Sequence, residues 1–232
     1  MRGLRKVGAT ASMNTAQISL LLDPFLDQPL SQIQLEQISI YIDLLLRWNA
    51  RINLTAIRKE DEIVTRHFGE SFFLARQVFP TEARGGQTLL SAASSARVVD
   101  IGSGAGFPGL PLKLWAPQIK LTLIESNHKK AAFLREVVRE LTLTNVDVIT
   151  DRAESIAGRD EYRANVVTLR AVENFETALP LAAKFLAAHG TLALLIGAAQ
   201  VPSLGTLSGI QWREPIPIPE SRARVLSIGV HP

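Results

Sequence analysis

The order of apolar and polar positions divides the chain in two. From Leu20 to Phe79 apolar residues recur at helical spacing: Leu35, Ile38, Ile42 and Leu45 step by three and four and line one face. Ser31 followed by Gln34 has the form of a capping box, with Leu30 and Leu35 placed to staple it. This spacing predicts a helix from Ser31 to about Trp48. Residues 49–55 interrupt the pattern. A second helix opens on Glu60, Asp61 and Glu62, acids that suit a helix N-terminus, and runs through Arg66, His67, Glu70 and Phe73 to stop at Pro80. So few helices cannot bury all their apolar surface alone, and they are expected to pack on the C-terminal part of the chain as a subdomain or lid.

Beyond a Gly-, Ser- and Ala-rich connector the rhythm changes. Residues 97–101, 120–124, 146–149, 166–169 and 191–196 read as strands, and 109–115, 127–143 and 175–188 as helices between them. Strand and helix in alternation imply right-handed crossovers and a mostly parallel sheet with helices on both faces. Pro215, Pro217 and Pro219 forbid a central strand there, and 224–230 reads as a last strand. The expected fold class is therefore α/β, a doubly wound, mostly parallel Rossmann-like sheet ending in an antiparallel strand. The expected organisation is a disordered extension over 1–16, a helical subdomain over 17–80, a connector over 81–96 and the sheet domain over 97–232. There is no internal repeat.

Composition narrows the classes. With 47% hydrophobic and 20% charged residues among 232, the chain can bury a sizeable core. It has no cysteine, which excludes a disulfide framework, a thiolate metal site and a cysteine nucleophile, and a reducing cytoplasm is expected. No metal site is expected. The net charge of +3 resides in Arg2, Arg5 and Lys6, since the other 22 basic residues match 22 acidic ones. A polyanion must then be held by a local basic patch. The first fifteen residues lack the apolar region of a secretory signal and are read as disordered or as lying upstream of a start at Met13, a transit peptide being the alternative. No stretch has the ~18 apolar residues of a membrane span, so no membrane partner is expected.

The chemistry concentrates where the first strand ends: Asp100, Ile101, Gly102, Ser103, Gly104, Ala105, Gly106, Phe107, Pro108, Gly109. A strand running into glycines lets bare backbone press against a ligand at the carboxyl edge of the sheet. Gly102, Gly104 and Gly106 give G-x-G-x-G, not the dinucleotide G-x-G-x-x-G, and Pro108 delays the helix that a pyrophosphate would need. This short form after an acid points to S-adenosyl-L-methionine. Glu125, at the end of the second strand, suits ribose hydroxyls, and Asp151, Arg152, Ala153 and Glu154 follow the third strand where an adenine edge would lie.

Several stretches resemble one family together: Arg47-Trp48-Asn49 with Ile52-Asn53-Leu54-Thr55, Arg66-His67, residues 100–111, Leu123-Ile124-Glu125-Ser126 with Lys129 to Leu134, and Leu169-Arg170-Ala171. They resemble the bacterial ribosomal RNA small-subunit methyltransferase G family, also called glucose-inhibited division protein B, over about residues 20–197. The resemblance implies a cytoplasmic enzyme that uses S-adenosyl-L-methionine to methylate N7 of a guanine in 16S ribosomal RNA, and makes 97–232 the methyltransferase domain. It places cofactor contacts on Gly102, Phe107, Ala153, Glu154 and Arg170, with Glu125 in the ribose position. Ala164-Asn165 departs from the family's usual aromatic and aspartate, and Ile196 stands before Gly197 where a lysine is expected.

Guanine N7 has an exposed lone pair, so its methylation needs no general base and none is assigned; the enzyme must supply geometry. Arg170 is expected on a phosphate or on guanine O6, orienting the substrate. N7 lies on an edge that A-form RNA hides, so the base must be in a loop or flipped, with Phe107, Trp48 and Phe68 as candidate stacking partners. Arg51, Arg66, His67, Lys129 and Lys130 are the candidate RNA contacts, joined by Arg47, Arg58, Lys59 and Arg135 in a basic patch. The partner is 16S ribosomal RNA or an assembling small subunit, and a monomer is expected. The alternatives are a small-molecule methyltransferase, which shares every cofactor feature, and a non-catalytic RNA- or ribosome-binding protein with a degenerate site, which Asn165 and Ile196 keep open.

Overall fold

The computed structural model describes residues 13–80, 96–171 and 174–232. The chain opens with α1 (Thr15–Leu22), α2 (Gln32–Asn49), a short α3 (Glu60–Ile63), a π-helical segment (Val64–Gly69) and α4 (Glu70–Val78). Ser31 and Gln34 cap α2 reciprocally, and Leu30 and Leu35 beside them are both buried. Asn14 caps α1, and Met13 before it is buried. The expected disorder of 1–12, and the connector as far as residue 95, lie outside the described residues.

The second part alternates β1 (Arg97–Ile101), α5 (Gly109–Trp115), β2 (Lys120–Ile124), α6 (His128–Glu140), β3 (Val146–Ile149), α7 (Ala153–Ile156), β4 (Ala164–Arg170), α8 (Phe175–Ala183) and β5 (Leu186–Gly197). The chain closes with β6 (Gln211–Trp212), β7 (Ile216–Pro217) and β8 (Arg224–Val230). The eight strands form one sheet in the order β3-β2-β1-β4-β5-β8-β6, with β7 also on β8. The first five are parallel and β8 runs antiparallel to β5. This is a mostly parallel, doubly wound α/β sheet with an antiparallel strand at one end, entered from helices. Pro217 pairs only at the outer side of β8, where a missing N–H costs no central ladder bond.

β5 starts five residues before the expected strand and α8 stops correspondingly early. Leu186 pairs with Ala164, and the Ala164 N–H donates to the carbonyl of Phe185, so ladder bonds overrule the helical preference of the Leu-Ala-Ala run. Alternate positions on each strand serve two cores. Val98, Leu121, Leu123 and Val166 join α1, α2, α4, α5 and α6 in one cluster, while Val99, Ile124, Val167 and Leu169 join α7 and α8 in the other. The N-terminal helices thus share a core with one face of the sheet.

Among the described residues no helix is long and apolar enough to cross a membrane, and no group of three or more His, Asp or Glu side chains could hold a metal.

Candidate active site

At the carboxyl edge of the sheet β1 runs into the glycine loop, where Gly102, Gly104 and Gly106 all have positive φ, at 65°, 57° and 90°. Their surroundings differ. A Cβ on Gly102 would meet nothing within 4 Å, and one on Gly104 only the Gly102 carbonyl at 3.7 Å. A Cβ on Gly106 would stand 2.3 Å from the Tyr41 hydroxyl, so this glycine makes room for the core. The first two keep the backbone bare where a ligand can approach.

Beside Gly102 lies an open cleft of about 270 Å³. Ile101, Ile124, Ala153, Ala178 and Leu181 give it an apolar lining, and Ser126, Asp151, Glu154, Asn174 and Thr177 give it polar groups. Of the expected cofactor residues, Gly102, Ala153 and Glu154 line it directly. Glu125 lies next to the lining and is buried. Its Oε2 accepts the Gly104 N–H at 2.8 Å and its Oε1 accepts that of Asn127 at 2.7 Å, so the carboxylate staples the loop to the end of β2. Each oxygen keeps a second lone pair for a ribose hydroxyl. Asp100, the acid before the loop, is fully buried; Thr168 donates to its Oδ1 at 2.7 Å, and Ser103 and the Gly109 backbone also stand against the carboxyl. Burial, only partly offset by the Thr168 bond, pushes its carboxyl up to about 6.

A ring stack stands behind the loop. Phe107 is sandwiched between Tyr41, with centroids 5.3 Å apart and planes 7° apart, and His67, at 4.7 Å and 17°. Phe68 meets its edge at 5.0 Å. Trp48 packs on Phe133 at 5.7 Å. Of the three expected stacking partners, Phe107 and Phe68 are therefore interior residues, and Trp48 is half-buried.

Arg170, at the end of β4, turns toward the helices. Its guanidinium donates to the carbonyl of Arg66 at 2.6 Å, to His67 Nδ1 at 3.0 Å and to Glu70 Oε2 at 3.2 Å. Glu70 is buried and its other oxygen faces Arg224 at 2.5 Å, so one carboxylate joins β4 and β8 to α4. Burial raises the Glu70 carboxyl against the pull of Arg170 and Arg224, and burial also lowers Arg170, opposed by Glu70. A guanidinium can only donate, so His67 Nδ1 accepts and its Nε2–H donates to Thr55 Oγ1 at 2.8 Å. Burial first, then Arg170, Arg66 and Arg224, push His67 down to about 2, which keeps the ring neutral. Both of its nitrogens are thus engaged inside the protein, where RNA contact had been expected. Asn49 supports this: its Oδ1 accepts the N–H of Leu54 and of Thr55, and its Nδ2 donates to the carbonyl of Thr55. The Trp-Asn and Asn-Leu-Thr elements thereby fold the turn that presents Thr55 to His67.

The remaining cations lie outside. Arg51, Arg66 and Lys129 are exposed and Lys130 is half-exposed. The Trp48–Phe133 contact brings the end of α2 beside the first turns of α6, which carry Lys129 and Lys130. Arg135 is instead tied to Val148 and Thr150. Of the two departures, Asn165 sits at the opposite edge of the sheet, where its side chain accepts the Arg97 N–H at 2.9 Å, and Ile196 is buried in the core over β4 and β5. Sequence reading missed Tyr41, Glu70 and Arg224 as parts of this region, and Thr55 stood there only as part of a motif; Glu70, an acid inside an otherwise apolar run, carried a signal.

Comparison with known proteins gives a consistent result. The family described as rRNA small subunit methyltransferase G matches residues 34–204. A relative named Ribosomal RNA small subunit methyltransferase G from Roseiflexus castenholzii is 45% identical over 172 residues, which are 70% of this chain and 68% of its own. One of the same name from Chloroflexus aggregans is 39% identical over 212 residues, 86% of this chain and 83% of its own. Among solved structures, a Haemophilus influenzae protein described as a methylase superposes with a TM-score of 0.52 at 15% identity, covering 68% of this chain and 98% of that one. At that identity the likeness concerns the fold alone.

Proposed function

The chain belongs to the rRNA small subunit methyltransferase G family and is a methyltransferase, and we propose that its cleft holds S-adenosyl-L-methionine for transfer of a methyl group to N7 of a guanine in 16S ribosomal RNA. The observation that carries the cofactor reading is the chemistry of the cleft: bare backbone at Gly102 and Gly104, an apolar lining fit for a purine, and the carboxylates of Asp151 and Glu154 with Glu125 under the loop. Such a site favours a sulfonium and ribose hydroxyls and repels a pyrophosphate. Gly102, Gly104, Ala153, Glu154 and Glu125 would hold the cofactor, which when bound supplies an electrophilic methyl. Gly106 and Phe107 belong to the packing behind it.

The chain's own groups then bind and orient. No residue is needed to take a proton from N7, which agrees with a neutral His67 whose nitrogens are both occupied. Arg170, held by Arg66, His67 and Glu70, supports the wall between the helices and the glycine loop, and its role toward substrate is to keep that wall in place. Exposed Arg51, Arg66, Lys129 and Lys130 supply phosphate contacts around an otherwise neutral body. We propose a monomer working in the cytoplasm, on naked RNA or on an assembling subunit.

Calorimetry with S-adenosyl-L-methionine and with NAD, followed by transfer of labelled methyl to 16S RNA, tests the reading. Binding of the first ligand only, with label recovered in 7-methylguanine, is expected. Binding of NAD, or label confined to small acceptors, would overturn it in favour of an oxidoreductase or a small-molecule methyltransferase.

A further inference from the structure

Tyr41 lies in the middle of α2, outside the cleft, and the chemistry above makes no use of it. Its side chain has no exposed surface, a costly place for a phenol unless the hydroxyl is bonded. The hydroxyl donates to the carbonyl of Ala105 at 2.5 Å, inside the glycine loop. The ring lies flat on Phe107. The loop is shaped around this contact, because a Cβ on Gly106 would collide with the Tyr41 hydroxyl. The loop's other anchors come from the sheet part: Gly104 N–H on Glu125, Ser103 N–H on the Ile124 carbonyl, and Ser103 Oγ on the Asp100 carbonyl. Tyr41 is the one that reaches in from the N-terminal helices, among the hydrogen bonds of the described residues.

We propose that Tyr41 is a positioning residue for the methyl donor: by holding the Ala105 carbonyl toward the core it sets the conformation of residues 102–106, so that donor affinity depends on a side chain of α2. The inference rests on the reading that this loop and its cleft bind S-adenosyl-L-methionine. The peptide unit between Ala105 and Gly106 is held on its other side by the Gly106 N–H, which donates to the Ser103 carbonyl at 2.6 Å, so without the Tyr41 hydroxyl it keeps one tether, and a tilt at 105 shifts the bare backbone of Gly102 and Gly104. Burial, reinforced by the negative charge of Asp100, holds the phenol well above its ordinary pKa, so the donor proton is present throughout the working range. The N-terminal helices are then part of the cofactor site as well as a platform for RNA.

Tyr41→Phe removes the hydroxyl and keeps the ring stack, leaving the buried Ala105 carbonyl without its partner. The expected result is roughly tenfold weaker S-adenosyl-L-methionine binding in calorimetry, with KM for the donor rising in step and kcat at saturating donor within about twofold of wild type. Ile38→Val, in the same helix and equally buried, loses stability without touching the loop and should keep donor affinity. Equal donor affinity in wild type and Tyr41→Phe overturns the proposal while leaving the cofactor reading intact; absence of donor binding by the wild type overturns the reading itself. A second measurement needs no variant to fold. The chain has two tyrosines, 41 and 162, so fluorotyrosine labelling gives two fluorine resonances. Saturating donor should move the Tyr41 resonance and leave that of Tyr162, which lies in the turn before β4, in place. A Tyr41 resonance indifferent to donor contradicts the proposal.

Discussion

Asp100 and His67 are buried titratable groups beside the same loop, and they bias stability in opposite directions. Asp100 titrates at about 6 in the fold against 3.8 unfolded, so between these values the folded chain binds the extra proton and stability falls as pH rises. His67 titrates at about 2 against 6.5, so below pH 6.5 the unfolded chain takes the proton and stability is lost as pH falls. Asp100→Asn isolates the first effect. Relative to wild type it should gain about 3 kcal/mol between about pH 3.5 and pH 7.5, measured by urea unfolding at both. An unchanged difference would mean that Asp100 is charged at little cost. Gly102→Ala tests the open backbone: a Cβ at positive φ costs about 1 kcal/mol of stability and projects into free space, so donor affinity should fall at least about tenfold while the melting temperature drops by only a few degrees. Gly102 and Glu125 were legible in the sequence because strand-end glycines and a strand-end acid recur in a fixed topology. Tyr41 and Thr55 were not, since nothing in a helical repeat or a polar loop says which residue opposes it across the fold.

Among the elements, the strands β1, β2, β3 and β8 and the helix α5 lie where alternation and turn residues put them. The π segment over Val64–Gly69 does not appear in any periodicity, because one extra residue per turn blurs the stripe without breaking it. Its product is a run of buried residues, His67 to Ala75, that no single helix face would bury. It also sends the Arg66 carbonyl to Arg170 and packs Gly69 against Phe25, where a Cβ would be 2.7 Å from the ring. The element is secured by Glu70 between Arg170 and Arg224. Glu70→Gln leaves two largely buried guanidinium groups without a counter-charge and should cost about 3 kcal/mol, little changed by salt because the cluster is shielded from ions. A loss under about 0.5 kcal/mol would show that the arginines find water instead.

At the scale of the molecule, the N-terminal helices and one sheet face form a continuous core, and the cleft beside Gly102 opens at the carboxyl edge. The α/β class and the ligand edge were readable in advance, since alternating strands and helices admit few topologies. The inward turn of Arg170, His67 and Phe107 was not readable, because an arginine, a histidine and a phenylalanine near a ligand site look alike whether they face it or support it. RNA binding should therefore depend on the outer cations. Replacing Arg51, Lys129 and Lys130 together by Ala should weaken RNA binding, lower the slope of log affinity against log salt by about 3 and leave donor affinity unchanged. An unaltered slope would place the RNA elsewhere. Methylation of a guanine N7 in small-subunit RNA can be read by mass spectrometry of nucleosides from 16S RNA, comparing cells with the gene, without it, and with the gene restored. One 7-methylguanosine should be lost with the gene and regained with it; a full complement of 7-methylguanosine in the deleted strain would mean that this protein does not methylate that base.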